Sequence, residues 1–144
     1  MAVFPRQPIA FDLLTNARDS FERAVHLIAL GENGTEHGRL KHAILSAAHC
    51  IELMLKERLR RVHPAFVWEK VDQYPSLDAR TVTVEMAIRR LQSVAGVLTS
   101  TSDEQTLRSL RLTRNAIEHY EWHTSEKEAK IIVGKGIEFR TRVR

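Results

Sequence analysis

The longest helical pattern in this chain lies in its middle, and any fold must be built around it. From Glu36 to Val62, the residues Leu40, Ile44, Ala47, Ile51, Leu55 and Leu59 recur at steps of three and four. That spacing lines one face of an α-helix. A helix over this range is about 40 Å long at 1.5 Å per residue, the height of a small domain. Pro64 sets its end, because the residue before a proline disfavours the helical region. A stripe this long needs apolar partners along its whole length.

The flanking segments supply them. Phe11, Leu14, Phe21, Val25 and Ile28, with Asp12, Arg18, Asp19 and Arg23 between them, predict a first helix over Ile9 to Leu30. Gly31-Glu32-Asn33-Gly34 breaks it, since Gly and Asn tolerate the left-handed backbone of helix ends. Ala65 to Val71 reads as a short helical turn, and Gln73 to Ala79, with Pro75 and Ser76, as a loop. Thr83 caps a third main helix, Val84 to Ala95, carrying Met86, Ile88, Leu91 and Val94. Ser102-Asp103-Glu104-Gln105 starts a fourth, a capping hydroxyl followed by acids, which runs through Leu107, Leu110, Ile117 and Tyr120.

From Ser125 the chain begins like a further helix, with Glu126, Lys127 and Glu128, until Gly134-Lys135-Gly136 interrupts it. Ile131-Ile132-Val133 and Ile137-Glu138-Phe139 leave short strands as the alternative, with helix the reading taken. The expected fold is all-α: an up-and-down helical bundle of four main helices, a short helical turn and a C-terminal segment. It forms one domain over residues 1–144, which is also what the N-terminal part of a longer chain would look like.

Composition narrows the function classes. No apolar run approaches the ~18–20 residues of a membrane span. Met1 to Arg6 lacks the layout of a secretory signal, so the expected location is cytoplasmic. The single cysteine, Cys50, permits no intrachain disulfide and no cysteine-pair zinc site. Within an apolar helix pattern it reads as a buried, inert thiol. His42 and His49 lie seven apart on one face without an acidic pair nearby, so neither a metal nor another cofactor is expected. Arg140, Arg142 and Arg144 account for three of the four net positive charges, so the body of the domain is nearly neutral and the tail reads as a solvated end.

Useful chemistry is densest in Arg111-Leu112-Thr113-Arg114-Asn115-Ala116-Ile117-Glu118-His119-Tyr120. A histidine can give or take a proton near pH 7. An arginine offers phosphate oxygens a fixed fork of donors, and Asn115 adds amide donors one turn before His119. Spacing alone says little. A chain this rich in Arg and His holds about one such pair by chance, and Arg58 with His63 repeats it beside Pro64. Lys56, Arg58, Arg60 and Arg61 there suit the negative end of a helix dipole. The bland alternatives are an Arg114–Glu118 ion pair, a half-buried His119, and a partnered Glu52–Lys56 pair within the bundle.

Arg114-Asn115-x-x-x-His119, near the end of a late helix, resembles the motif of the HEPN family of small helical bundles. Leu45 to Lys56 looks like that family's Glu-bearing core helix, with Glu52 and Lys56 one turn apart. The likeness in helix order covers about Phe11 to Ser125. It implies a metal-independent endoribonuclease acting on single-stranded RNA, a toxin or anti-phage effector with an antitoxin of nucleotidyltransferase type as partner. By the same resemblance, His119 would move the proton at the ribose 2′-hydroxyl or leaving oxygen, Arg114 would stabilise the phosphate, and Asn115 would orient one of them. Glu52, Lys56 and Tyr120 would support the site, while Trp122 and His123 could stack on RNA. Some family toxins carry a modifiable Tyr two residues after the His. Here that position is Glu121, so that regulation is not carried over.

Helical geometry adds a constraint. Five residues at roughly 100° each place Arg114 and His119 about 140° apart around a regular helix. A working site therefore needs a bent helix end, a curled arginine or a second protomer, and family members commonly pair their motifs at a dimer interface. A homodimer is the expectation that follows. The alternative function is a non-catalytic module that binds RNA, a nucleotide or a protein partner; a plain oligomerisation domain is the third.

Overall fold

The computed structural model describes residues 11–29 and 36–143. Five long α-helices form the bundle: α1 (Leu13–Ala29), α2 (Glu36–Val62), α3 (Val84–Ala95), α4 (Thr101–His119) and α5 (Glu126–Val143). Two single-turn 3₁₀ segments, Pro64–Val67 and Val71–Gln73, lie between α2 and α3. Among the described residues there is no strand, only an isolated bridge between Trp68 and Thr81. Among the described residues no helix is long and apolar enough to cross a membrane.

Helix α2 is the axis of the bundle, packing against each of the other four. Its predicted stripe is the core: Leu40, Ile44, Ala47, Ile51, Leu55 and Leu59 are all buried. They meet Ala24 and Leu27 of α1, Ile88 and Leu91 of α3, Leu107 and Leu110 of α4, and Val133 and Phe139 of α5. A side chain such as Leu55 or Phe139, with 2% of its surface accessible, contributes about 1.5–3 kcal/mol by leaving water.

The first helix is shorter than its pattern suggested. Asp12 caps it, its Oδ1 accepting a 2.7 Å hydrogen bond from the Thr15 amide. Phe11 precedes the helix and is 79% exposed, and Val25 sits at the rim. Small residues, Ala17 and Ala24, form the buried face and let α1 approach α2 closely. Ile9 and Leu30 lie outside the described residues, as does the Gly31–Gly34 breaker.

Helix α4 starts two residues earlier than expected. Ser100, not Ser102, is the cap: its Oγ accepts from the Asp103 amide (3.0 Å), and Asp103 Oδ2 accepts from the Ser100 amide (3.2 Å). The reciprocal pair satisfies two amides that a helix start otherwise leaves free.

The largest correction concerns the C-terminal segment. Gly134-Lys135-Gly136 does not interrupt it, and neither hydrophobic triplet is a strand; α5 is continuous. Ser125 caps it through the Glu128 amide (3.1 Å). Gly136 is buried where a Cβ would lie 3.3 Å from Ile51 Cδ1 and 3.4 Å from Leu110 Cδ2. The glycine is thus a close-approach position against α2 and α4. Docking Ala129, Val133 and Phe139 offsets the ~1 kcal/mol that each helical glycine costs.

Candidate functional site

Arg114 lies in the second-last turn of α4, facing α2, and its surroundings build outward from Lys56. That lysine is buried near the middle of the bundle. It does not act as a solvated cation at a helix end. Its Nζ donates to Glu52 Oε1 at 2.7 Å and to Thr81 Oγ1 at 2.9 Å. A buried ammonium needs such partners to offset its lost hydration. Lys56 thereby holds one carboxylate oxygen of Glu52, and the other, Oε2, stands 3.8 Å from Arg114 Nη1.

The same arginine reaches along its own helix, with Nε 3.5 Å from Glu118 Oε2. His119 Nε2 lies 3.8 Å from that same oxygen. A polar chain therefore runs from Thr81 through Lys56, Glu52, Arg114 and Glu118 to His119. The guanidinium Nε and the imidazole Nε2 are separated by no more than the sum of their distances to Glu118 Oε2. Glu118 stands between the two positions that lie 140° apart around the helix.

Lys56 is the innermost member, Glu52 and Arg114 are half-buried, and the His119 side chain is 75% exposed at the last residue of α4. Helix α4 ends there because Tyr120 leaves the helical region, at φ −153° and ψ −132°. Trp122 then packs against the core and turns the chain back towards α5. Asn115 is exposed and makes no side-chain hydrogen bond among the described residues. Tyr120 is exposed, so it does not extend the core stripe. His123 is exposed, its Nε2 3.4 Å from Glu121 Oε2.

The structure thus brings together Arg114, His119, Glu52 and Lys56, and leaves Asn115, Tyr120, Trp122 and His123 around the edge. The Glu52–Lys56 and Arg114–Glu118 pairs form as spacing predicts. That Glu118 also meets His119 was not anticipated, nor was Thr81, which comes from a loop 25 residues from Lys56. No local pattern announces such a partner. Beside the chain, α3 and α4 leave a groove of about 420 Å³ lined by Val84, Ile88, Leu107, Arg108 and Arg111. Arg111 is bound there to Glu85 at 2.6 Å.

The second Arg–His pair has other duties. His63 Nδ1 accepts from the Ala65 amide (3.1 Å), capping the turn after α2. His42 and His49 are exposed, and among the described residues no group of three or more His, Cys, Asp or Glu side chains is clustered for a metal. Cys50 is buried as expected; burial pushes its thiol up, and the nearby Arg140 charge pulls it partly back.

Compared with protein-family models, curated proteins and solved structures, the chain matches none.

Proposed function

We propose that this chain is a HEPN-type, metal-independent endoribonuclease that cleaves single-stranded RNA through Arg114 and His119, as a toxin or anti-phage effector. The observation that supports it is the convergence of both side chains on one oxygen of Glu118. A carboxylate oxygen there stands in for a phosphate oxygen of the substrate. Binding RNA would displace Glu118 and leave Arg114 on the scissile phosphate, held from behind by Glu52 and Lys56.

The chemistry then needs two proton transfers. The ribose 2′-oxygen loses its proton and attacks phosphorus; the bond to the 5′-oxygen breaks and that oxygen gains a proton. A 2′,3′-cyclic phosphate and a 5′-hydroxyl result. Arg114 stabilises the charge that builds on the phosphoryl oxygens. One imidazole supplies one transfer, and a homodimer that pairs two motifs would supply the second. An antitoxin of nucleotidyltransferase type would be the natural silencing partner.

Glu118 also favours a second reading. A carboxylate between the guanidinium and the imidazole suits a module that binds RNA, a nucleotide or an acidic protein segment without cleaving it. Fluorescence anisotropy and cleavage, measured on the same single-stranded RNA in chelator, separate the two. The enzyme reading expects His119→Ala to bind but not cleave, and Arg114→Ala to lose both. Binding by the wild type without cleavage would favour the module, and wild-type behaviour in both variants would remove this site altogether.

A further inference from the structure

A second cluster of arginines lies on the other side of α2. Arg18 of α1, Arg58 and Arg61 of α2, and Arg140 of α5 line one concavity, with Leu14, Met54 and Glu57. Its volume is about 70 Å³, several times the roughly 10–15 Å³ that admits one water. The pocket takes one small group and no nucleobase.

Glu57 is the one acid in that lining, and its charge is already used. Arg60 grips it with two 2.7 Å hydrogen bonds, and Arg61 Nε adds a third contact at 3.3 Å. Arg18 and Arg58 make no ion pair or hydrogen bond among the described residues. Arg140 is the notable member, since the sequence placed it in a solvated tail. Instead its guanidinium stacks on Phe21, 3.8 Å from the ring centroid. Its Nε is buried without a hydrogen-bond partner among the described residues. Three helices thus bring an excess of guanidinium groups to one pocket, one of them held by an aromatic ring with its Nε out of water.

We infer that this pocket is an anion site that takes a single phosphate group, from a free phosphate ion or from the terminal phosphate of a nucleotide. Arg58 and Arg140 carry most of the recognition, Arg18 and Arg61 close the rim, and the guanidinium fork matches phosphate oxygens. The site is separate from the Arg114 chain. At roughly 100° per residue, Met54, Glu57, Arg58 and Arg61 lie between about 140° and 240° around α2 from Glu52.

Isothermal titration with inorganic phosphate, AMP and adenosine tests the inference on the full chain. Phosphate and AMP should bind, and adenosine should not. AMP tighter than phosphate by tenfold or more identifies the source as a nucleotide; equal affinities identify it as the free ion. Arg58→Ala should weaken binding at least tenfold, and Arg58→Lys should restore part of it. Arg58 has no ion-pair or hydrogen-bond partner to lose among the described residues, so folding is not at stake; Arg140→Gln serves as a second variant, checked for its unfolding midpoint. Arg114→Ala should keep the Arg58-dependent phosphate binding. Absence of phosphate binding, binding indifferent to Arg58→Ala, or binding abolished by Arg114→Ala would overturn the assignment.

Discussion

Glu118 is the residue on which the candidate site turns. Its carboxylate faces Arg114 and His119 at once, so it competes with any anionic ligand they could hold. Glu118→Gln removes the charge while keeping the shape. Anisotropy with single-stranded RNA should show roughly two- to five-fold tighter binding, the ~0.5–1 kcal/mol of an exposed ion pair. Weaker binding would show that Glu118 helps to hold the ligand instead. Glu57 gives a second test at this scale. The Arg60 hydrogen bonds hold its carboxyl below the ordinary range, against the opposing effect of burial. Its folded value is depressed, so its stabilisation is present above the unfolded value near 4.3 and is lost as pH falls through the folded one. In urea unfolding, Glu57→Gln should cost about 1–2 kcal/mol at pH 7, and the gap to the wild type should close in acid. A gap that is constant with pH would point to packing rather than charge.

At the scale of the element, helices were legible where one face of the chain alternates with another. The bounds of α2 and α3 follow directly from their stripes and from Thr83 and Pro64. What sequence pattern missed was set by contacts from elsewhere. Gly136 reads as a breaker until Ile51 and Leu110 are seen pressed against it, and Ser100 outdoes Ser102 because only Ser100 has Asp103 at the reciprocal position. In the site, the pairs one turn apart could be read from spacing, whereas Thr81 and the Arg140 pocket depend on where three other helices fall. The two glycines of α5 make this testable. A Cβ at Gly134 would meet nothing within 4 Å, so Gly134→Ala should stabilise by about 1 kcal/mol. At Gly136 the crowding against α2 and α4 should cancel that gain or reverse it. Equal gains at both positions, by thermal or urea unfolding, would refute the close-approach reading of Gly136.

For the whole molecule, the question is whether one chain suffices. Arg114 and His119 meet the same Glu118 oxygen within a single chain, yet one imidazole provides only one of the two proton transfers. The homodimer proposal places two exposed His119 side chains across one substrate. Sedimentation at micromolar concentration should therefore give a dimer of the 16.5 kDa chain. Cleavage rate per chain should fall on dilution below the dissociation constant. A monomer whose specific activity is independent of concentration would mean that one chain carries the site alone.

The central claim, that Arg114 and His119 act together on an RNA phosphate, is met most directly by the ends of the RNA products. Single-stranded RNA incubated with the protein and excess chelator should yield 2′,3′-cyclic phosphate and 5′-hydroxyl ends, with the rate reduced at least a hundredfold in His119→Ala. Products with 5′-phosphate ends, or cleavage that His119→Ala leaves unchanged, would contradict it.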